Sequence, residues 1–323
     1  MIASRFKFIV ALCGLSSLLL NLSARAEGST LTWTQLSPPT SPPARAYLSM
    51  AYDAGNKQVV MFGGYDAETY LQDTWTYNGK TWTKIDTTTA PTARANAQMA
   101  YDFVTRKVIL FGGYNGHYLG DTWIWDGATS TWTQATSSVS PKAVTGPMVF
   151  SDLNGHVDEF GGFDGQFYQL TMWQWTGSIW EQLHPATVPF ARSSSALGVN
   201  HSGGQIVLYG GLGDVNPLNT WTYDGTNWTL QSPSMQPLTV YAASAAYEPT
   251  LDMVVVFGGA DGGVDQDRTW AWTGSDWLEL FPTVSPPARE GAGMVYVGGA
   301  GQIILFGGQS GQSLLGDTWT LTP

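Results

Sequence analysis

One feature of this 323-residue sequence constrains its fold more than any other: an aromatic-Gly-Gly triplet that returns six times. It stands at Phe62-Gly63-Gly64, Phe111-Gly112-Gly113, Phe160-Gly161-Gly162, Tyr209-Gly210-Gly211, Phe257-Gly258-Gly259 and Phe306-Gly307-Gly308, 49 residues apart with one interval of 48. Eleven or twelve residues after each first glycine comes a tryptophan: Trp75, Trp123, Trp173, Trp221, Trp270 and Trp319. A second series follows as Trp82, Trp132, Trp180, Trp228 and Trp277, and its sixth member, Trp33, lies at the other end of the chain. A fixed period of this size means stacked copies of one supersecondary unit, none of which can bury its apolar face alone.

Each unit reads as four short strands. In the first copy they carry Met50-Ala51-Tyr52, Val59-Val60-Met61-Phe62, Asp73-Thr74-Trp75-Thr76-Tyr77 and Trp82-Thr83-Lys84-Ile85. The last copy ends at Thr320-Leu321-Thr322-Pro323 without a fourth strand, and Leu31-Thr32-Trp33-Thr34-Gln35-Leu36 can supply it. The expectation is an all-β, six-bladed propeller whose last blade is closed by the N-terminal strand of the mature chain, leaving no open sheet edge. Composition agrees, since 38 glycines, 15 tryptophans and only 12% charged residues favour strands and tight turns over helices.

The Gly-Gly pair, the Asp-Thr-Trp downstream, the Tyr-Asn-Gly or Trp-Asp-Gly turn and the later tryptophan resemble the kelch repeat family of β-propellers, over essentially the whole chain beyond residue 26. The resemblance implies the fold and leaves function open, because kelch propellers serve as enzymes, sugar binders and protein-docking platforms. In that frame the phased tryptophans read as packing between blades, and the paired glycines as backbone requirements.

Residues 1–26 stand outside the repeats. Arg5 and Lys7, the apolar stretch Phe8 to Leu20 and Ala24-Arg25-Ala26 predict a secretory signal peptide, hence a secreted or periplasmic protein with its propeller in residues 27–323. Lipid attachment at Cys13 fits poorly, because Leu12 is bulky where a small residue is needed. Cleavage after Ala26 removes Arg5, Lys7 and Arg25 and takes the formal charge from −11 to −14, a value that repels nucleic acid and anionic lipid. Cys13, the one cysteine, leaves as well, and with it disulfides, Cys-ligated zinc and thiol nucleophiles. No nucleic acid partner, no membrane insertion and a monomer are expected.

Function belongs where the repeats differ, on loops of one face. Chain direction puts the loop into strand one and the loop between strands two and three on the same side. The first set carries Arg45, Arg94, Arg192 and Arg289, with Val144 and Val240 in the third and fifth copies. The second set carries Tyr65, Asp66, Glu68 and Tyr70, then Tyr114, Asn115, His117 and Tyr118, then Phe163, Asp164, Gln166, Phe167 and Tyr168. The candidate ligand-binding set is Arg45, Arg94, Arg192 and Arg289 around a central opening, with Tyr65, Tyr114, Phe163 and His117 as walls. Aromatic faces suit sugars and guanidinium forks suit carboxylates, so the four arginines favour an anionic ligand. The plainer alternative is that the arginines tie neighbouring blades together and the tyrosines pack turns.

Metal and catalytic patterns are thin, and no cofactor is expected. His117, His156, His184 and His201 lie in separate loops, and Asp261, Asp265 and Asp267 make only a weak calcium pattern. Propellers of the galactose oxidase type need a Tyr–Cys cross-link, which a chain without mature cysteine lacks. One anomaly stands out. Strand two is apolar in five copies, but the third reads Asp158-Glu159, whose side chains should face the two adjacent blade interfaces. Two functional readings remain, with a purely structural exported protein as a third below them. The first is a non-catalytic module binding carbohydrate or protein; the second, by likeness to N-acetylneuraminate epimerase-type propellers, is an enzyme acting on a sugar acid.

Overall fold

The computed structural model of the protein describes residues 31–323 except 143, 152–154, 214–218 and 239. The expected signal peptide at 1–26 lies outside the described residues. The architecture is all-β, with six four-stranded antiparallel sheets as blades. Blade one is Ser49–Asp53, Gln58–Phe62, Thr74–Tyr77 and Trp82–Ile85, hydrogen-bonded in that order from inner to outer strand. Blades two to five repeat the plan, with inner strands Gln98–Asp102, Met148–Ser151, Ala196–Asn200 and Ser244–Glu248. Blade six is Gly293–Val297, Gln302–Phe306 and Thr318–Thr322, and its outer strand is Thr32–Leu36, with Trp33 opposite Leu321.

The second strand of each blade is buried on both faces, which is why it reads as an unbroken apolar run in every blade but the third. Val60 and Phe62 pack with Val108 and Leu110 of blade two. Val59 and Met61 pack with Ile304 and Phe306 of blade six. Each outer-strand tryptophan then reaches the third strand of the preceding blade. Trp82 Nε1 donates to Thr318 Oγ1 at 3.1 Å, Trp132 to Thr74 at 2.9 Å, Trp180 to Thr122 at 2.8 Å, Trp277 to Thr220 at 2.7 Å and Trp33 to Thr269 at 3.1 Å. Blade three has Met172 where the others have threonine, and the buried indole N–H of Trp228 has no partner.

The Gly-Gly pair marks the closest approach of neighbouring blades. Gly63 has φ +66°, and a Cβ there would stand 2.5 Å from Arg94 O, while Gly64 N donates to that same carbonyl at 2.9 Å. Around the axis a second set of backbone links forms an arc over five blades. Tyr47, Asn96, Ser194, Ala242 and Gly291 all adopt left-handed φ between 53° and 62°. Among the described residues four links join them, including Tyr47 N to Gly291 O at 2.7 Å and Asn96 N to Tyr47 O at 2.8 Å. Blade three has no such residue because its turn is one residue short. Five positions carry Arg45 to Met50, which pairs with Met61, but four carry Val144 to Met148, which pairs with the equivalent Glu159.

Candidate functional site

The four arginines expected at the rim have their guanidinium groups inside the blades, each residue 1% exposed. Arg45 donates from Nε to Pro43 O at 3.1 Å, from Nη1 to Gly63 O at 3.1 Å and Asp73 Oδ1 at 2.5 Å, and from Nη2 to Asp73 Oδ2 at 3.0 Å. Trp75 Nε1 donates to the same Asp73 Oδ2 at 2.7 Å. Blades two and six build the same lock from Arg94, Asp121 and Trp123 and from Arg289, Asp317 and Trp319. Burial pushes the carboxyls of Asp73, Asp121 and Asp317 up, but the arginine and indole donors outweigh it and hold each below the ordinary value. These groups are engaged internally, so they give the face no free guanidinium with which to hold an anion. That corrects the ground on which an anionic ligand was expected.

Blade four keeps Arg192 but replaces the acid by Asn219. Arg192 donates to Phe190 O, Gly210 O and Asn219 Oδ1 at 3.0, 3.2 and 2.9 Å, all neutral acceptors. Burial lowers its pKa to about 10, and the indole N–H of Trp221 is buried without a partner. Blades three and five lack both members, with Val144 and Thr171 in one and Val240 and Arg268 in the other. The locks therefore occupy the contiguous blades six, one and two.

The loop aromatics behave differently. Tyr65, Tyr70, Tyr114, Tyr118, Phe163 and Tyr168 form one unbroken arc across blades one to three, with successive ring centroids 5.4, 5.9, 4.9, 5.6 and 4.8 Å apart. All six rings are half-buried. Short backbone bridges such as Ala46 with Tyr65 and Tyr65 with Tyr70 recur at the equivalent positions of blades two and three. Tyr65, Tyr114 and Phe163 of the candidate set are thus brought together, and His117 is exposed on the turn closed by the Tyr114–Tyr118 bridge. In blades four to six the position of Tyr65 is taken by Leu212, Ala260 and Gln309.

A channel of about 870 Å³ runs along the axis, lined by the inner strands. At its loop-face mouth Tyr47 Oη donates to Glu290 Oε1 at 2.8 Å. Burial, and more weakly Asp265, pushes the Glu290 carboxyl up, while the Tyr47 bond pulls it down; the balance is upward. Glu290 therefore turns away from its neighbour Arg289, as alternating strand geometry requires. The opposite mouth has a collar of Tyr52, Tyr101, Tyr247 and Tyr296, with His201 edge-on to Tyr247 at 4.8 Å. The signal for this collar in the sequence is one tyrosine that recurs before the same turn in four copies. Those turns themselves follow side-chain chemistry: Asp53 accepts from Asn56 N at 3.1 Å and Asp102 from Val104 N at 2.8 Å.

Asp158 and Glu159 are 0% and 1% exposed. Asp158 raises the Tyr223 phenol of blade four, which burial already pushes up, to about 12. Glu159 lies on the blade-two side, where burial drives its carboxyl well above the ordinary value and neither oxygen has a partner. A Cβ on Gly146 would stand 2.8 Å from its Oε1, so the absence of a side chain at Gly146 leaves room for it. Among the described residues no three His, Cys, Asp or Glu side chains gather as a metal site, Asp261, Asp265 and Asp267 included. Asp265 instead accepts from Gly311 N at 2.6 Å. Among them there is also no helix long and apolar enough to cross a membrane.

The comparisons with known proteins agree with this architecture. None of the curated proteins matches the chain. A family model described as the KLHDC2/KLHL20/DRC7 Kelch-repeats domain matches residues 19–211, from the N-terminal segment through the Gly-Gly pair of blade four. With that match over more than half of its length and six blades built on one repeat, this chain belongs to the kelch-repeat family, whose fold supports binding in general terms.

Proposed function

We propose that the protein is an exported, non-catalytic binding module that docks a protein partner through its loop face. The observation that carries this is the distribution of exposed apolar side chains. Phe167 and Val264 on strand two–three loops and Phe190 and Phe281 on connections into strand one are between 52% and 82% exposed, while the turns of the opposite face expose only Phe103 and Val104 to that degree among the described residues. A soluble monomer rarely gathers so much apolar surface on one side without a partner for it. Carboxylates of Asp66, Glu68, Asp164 and Asp261 lie among the same loops, so the complementary surface is apolar with a basic rim. A second reading, a neutral glycan, is favoured by the six-ring arc, which offers stacking faces beside Asn115 and Gln166. Sugar-acid epimerisation is less well supported, because it calls for a guanidinium facing the substrate carboxylate.

Export rests on the signal-like segment at 1–26 and is checked by fractionation and by an N-terminus at Glu27. The docking test uses immobilised full-length mature protein, its Phe167→Asp, Phe190→Asp, Phe281→Asp variant and a Phe103→Asp variant on the opposite face. A partner from the exported fraction should bind the parent and the Phe103 variant, and not the triple variant. Retention by the triple variant refutes protein docking at this face, and glycan binding lost on Tyr70→Ala, Tyr118→Ala would favour the second reading.

A further inference from the structure

The axial channel plays no part in docking at the loop face, and its chemistry differs from the rest of the molecule. Its volume, about 870 Å³, falls within the ~300–1,000 Å³ of small-molecule sites. Among the described residues its lining contains no Asp, Glu, Lys or Arg, in a chain with 25 acids and 14 bases. The inner strands present Met50, Met99 and Met294 at one level and small apolar residues beside them. Ser49, Asn96, Gln98, Thr145, Ser195 and Ser244 add neutral hydrogen-bonding groups to the lining, and an occupant that covers the methionine and alanine surface between them gains free energy by taking that surface from water. Methionine side chains are unbranched and adjust to an irregular shape. At the turn-side mouth the tyrosine collar adds ring faces and hydroxyls where the walls meet solvent.

We propose that this channel is a binding site for an uncharged, predominantly apolar organic molecule, which enters past the tyrosine collar and leaves any hydroxyl or carbonyl group there. Charge would be penalised between the two mouths, since no ionic side chain among the described lining residues could compensate it there, and Glu290 stands only at the loop-face end. The collar suits the polar end of an otherwise apolar ligand, because a tyrosine has an apolar body and a polar tip. Ala245 identifies the place to test. It lines the channel where blades one, two and six have Met50, Met99 and Met294, so the fold already accommodates methionine at that level.

The probe is Nile red, an uncharged apolar dye, titrated into the mature full-length protein. One dye should bind per chain with blue-shifted emission. Ala245→Arg should weaken binding at least tenfold, and Ala245→Met, which narrows the passage without adding charge, should weaken it several-fold. Should Ala245→Arg lose the parent circular dichroism spectrum, Ala245→Met decides alone. Tyr70→Ala, Tyr118→Ala on the loop face should leave dye affinity unchanged. Absence of binding by the parent overturns the proposal, as does binding unaffected by the channel variants or lost in the loop-face variant.

Discussion

Completing the lock of blade four tests how the arginines act. Asn219→Asp places a carboxylate where Asp73, Asp121 and Asp317 stand in blades one, two and six. The new acid should gain a second bond from Arg192 and take up the orphan indole N–H of Trp221. Each hydrogen bond to a charged group contributes roughly 1.5–3 kcal/mol. Desolvating the new carboxylate offsets part of that, since its counterparts are only 16–23% exposed. A net gain of about 1–3 kcal/mol at pH 7 follows, or about 2–6 °C in Tm. The counterparts have folded pKa values below the ordinary carboxylate value. A depressed carboxyl stabilises above its unfolded pKa of ~3.9 and loses that contribution as pH falls through its folded pKa. The gain should therefore be full at pH 7 and disappear in strong acid, read by calorimetry at both values. Asp73→Asn should cost a similar amount at pH 7. A variant no more stable than the parent, or equally stabilised at pH 7 and in acid, refutes the account of Arg192 as a guanidinium lacking its acid.

Glu159→Met installs the residue found at the equivalent Met61. Because the Glu159 carboxyl is raised by burial, the parent has its full stability below an unfolded pKa of ~4.3 and loses it as pH rises towards the folded pKa. The variant should melt higher near neutrality and show a flatter stability–pH curve. Thr122→Val removes the acceptor of the buried Trp180 N–H and should cost about 1–3 kcal/mol in urea unfolding. Trp33→Ala empties the outer strand of blade six, where Trp33 is 1% exposed and packs on Phe257. It should cost about 3–5 kcal/mol, and a parent-like urea midpoint would contradict a packing role for that strand.

The triplets and tryptophan series made the blades legible because each repeats a backbone requirement or a packing contact. Asp158 and Glu159 were legible for the same reason, since they break an apolar pattern that five other copies keep. The arginines were legible as positions but not as groups, because loop sequence does not say whether a long side chain points out or folds back. One clue lay in the chain: Arg and the Asp two residues before Trp occur together in blades one, two and six and vanish together in three and five. The one-residue deficit between Val144 and Met148 was hidden by the regular spacing of the glycines, which Gly112 and Gly161 maintain across it. The channel escaped because strand residues were read as facing neighbouring blades, whereas those of the innermost strands also border the axis.

A closed ring has no free end, so the order in which its junctions part is set by their weakest member. The joint between the chain termini is well furnished: Thr32–Leu36 pairs along the whole of Thr318–Thr322, and Trp33 reaches Thr269. Blade three lacks the left-handed turn residue, the threonine that would receive Trp228 and the arginine lock, and it buries Glu159 without partners. Amide exchange should accordingly begin at the edges of blade three while the amides of blades six and one remain protected. The seam through which this propeller opens is thus half a turn away from where its chain begins and ends.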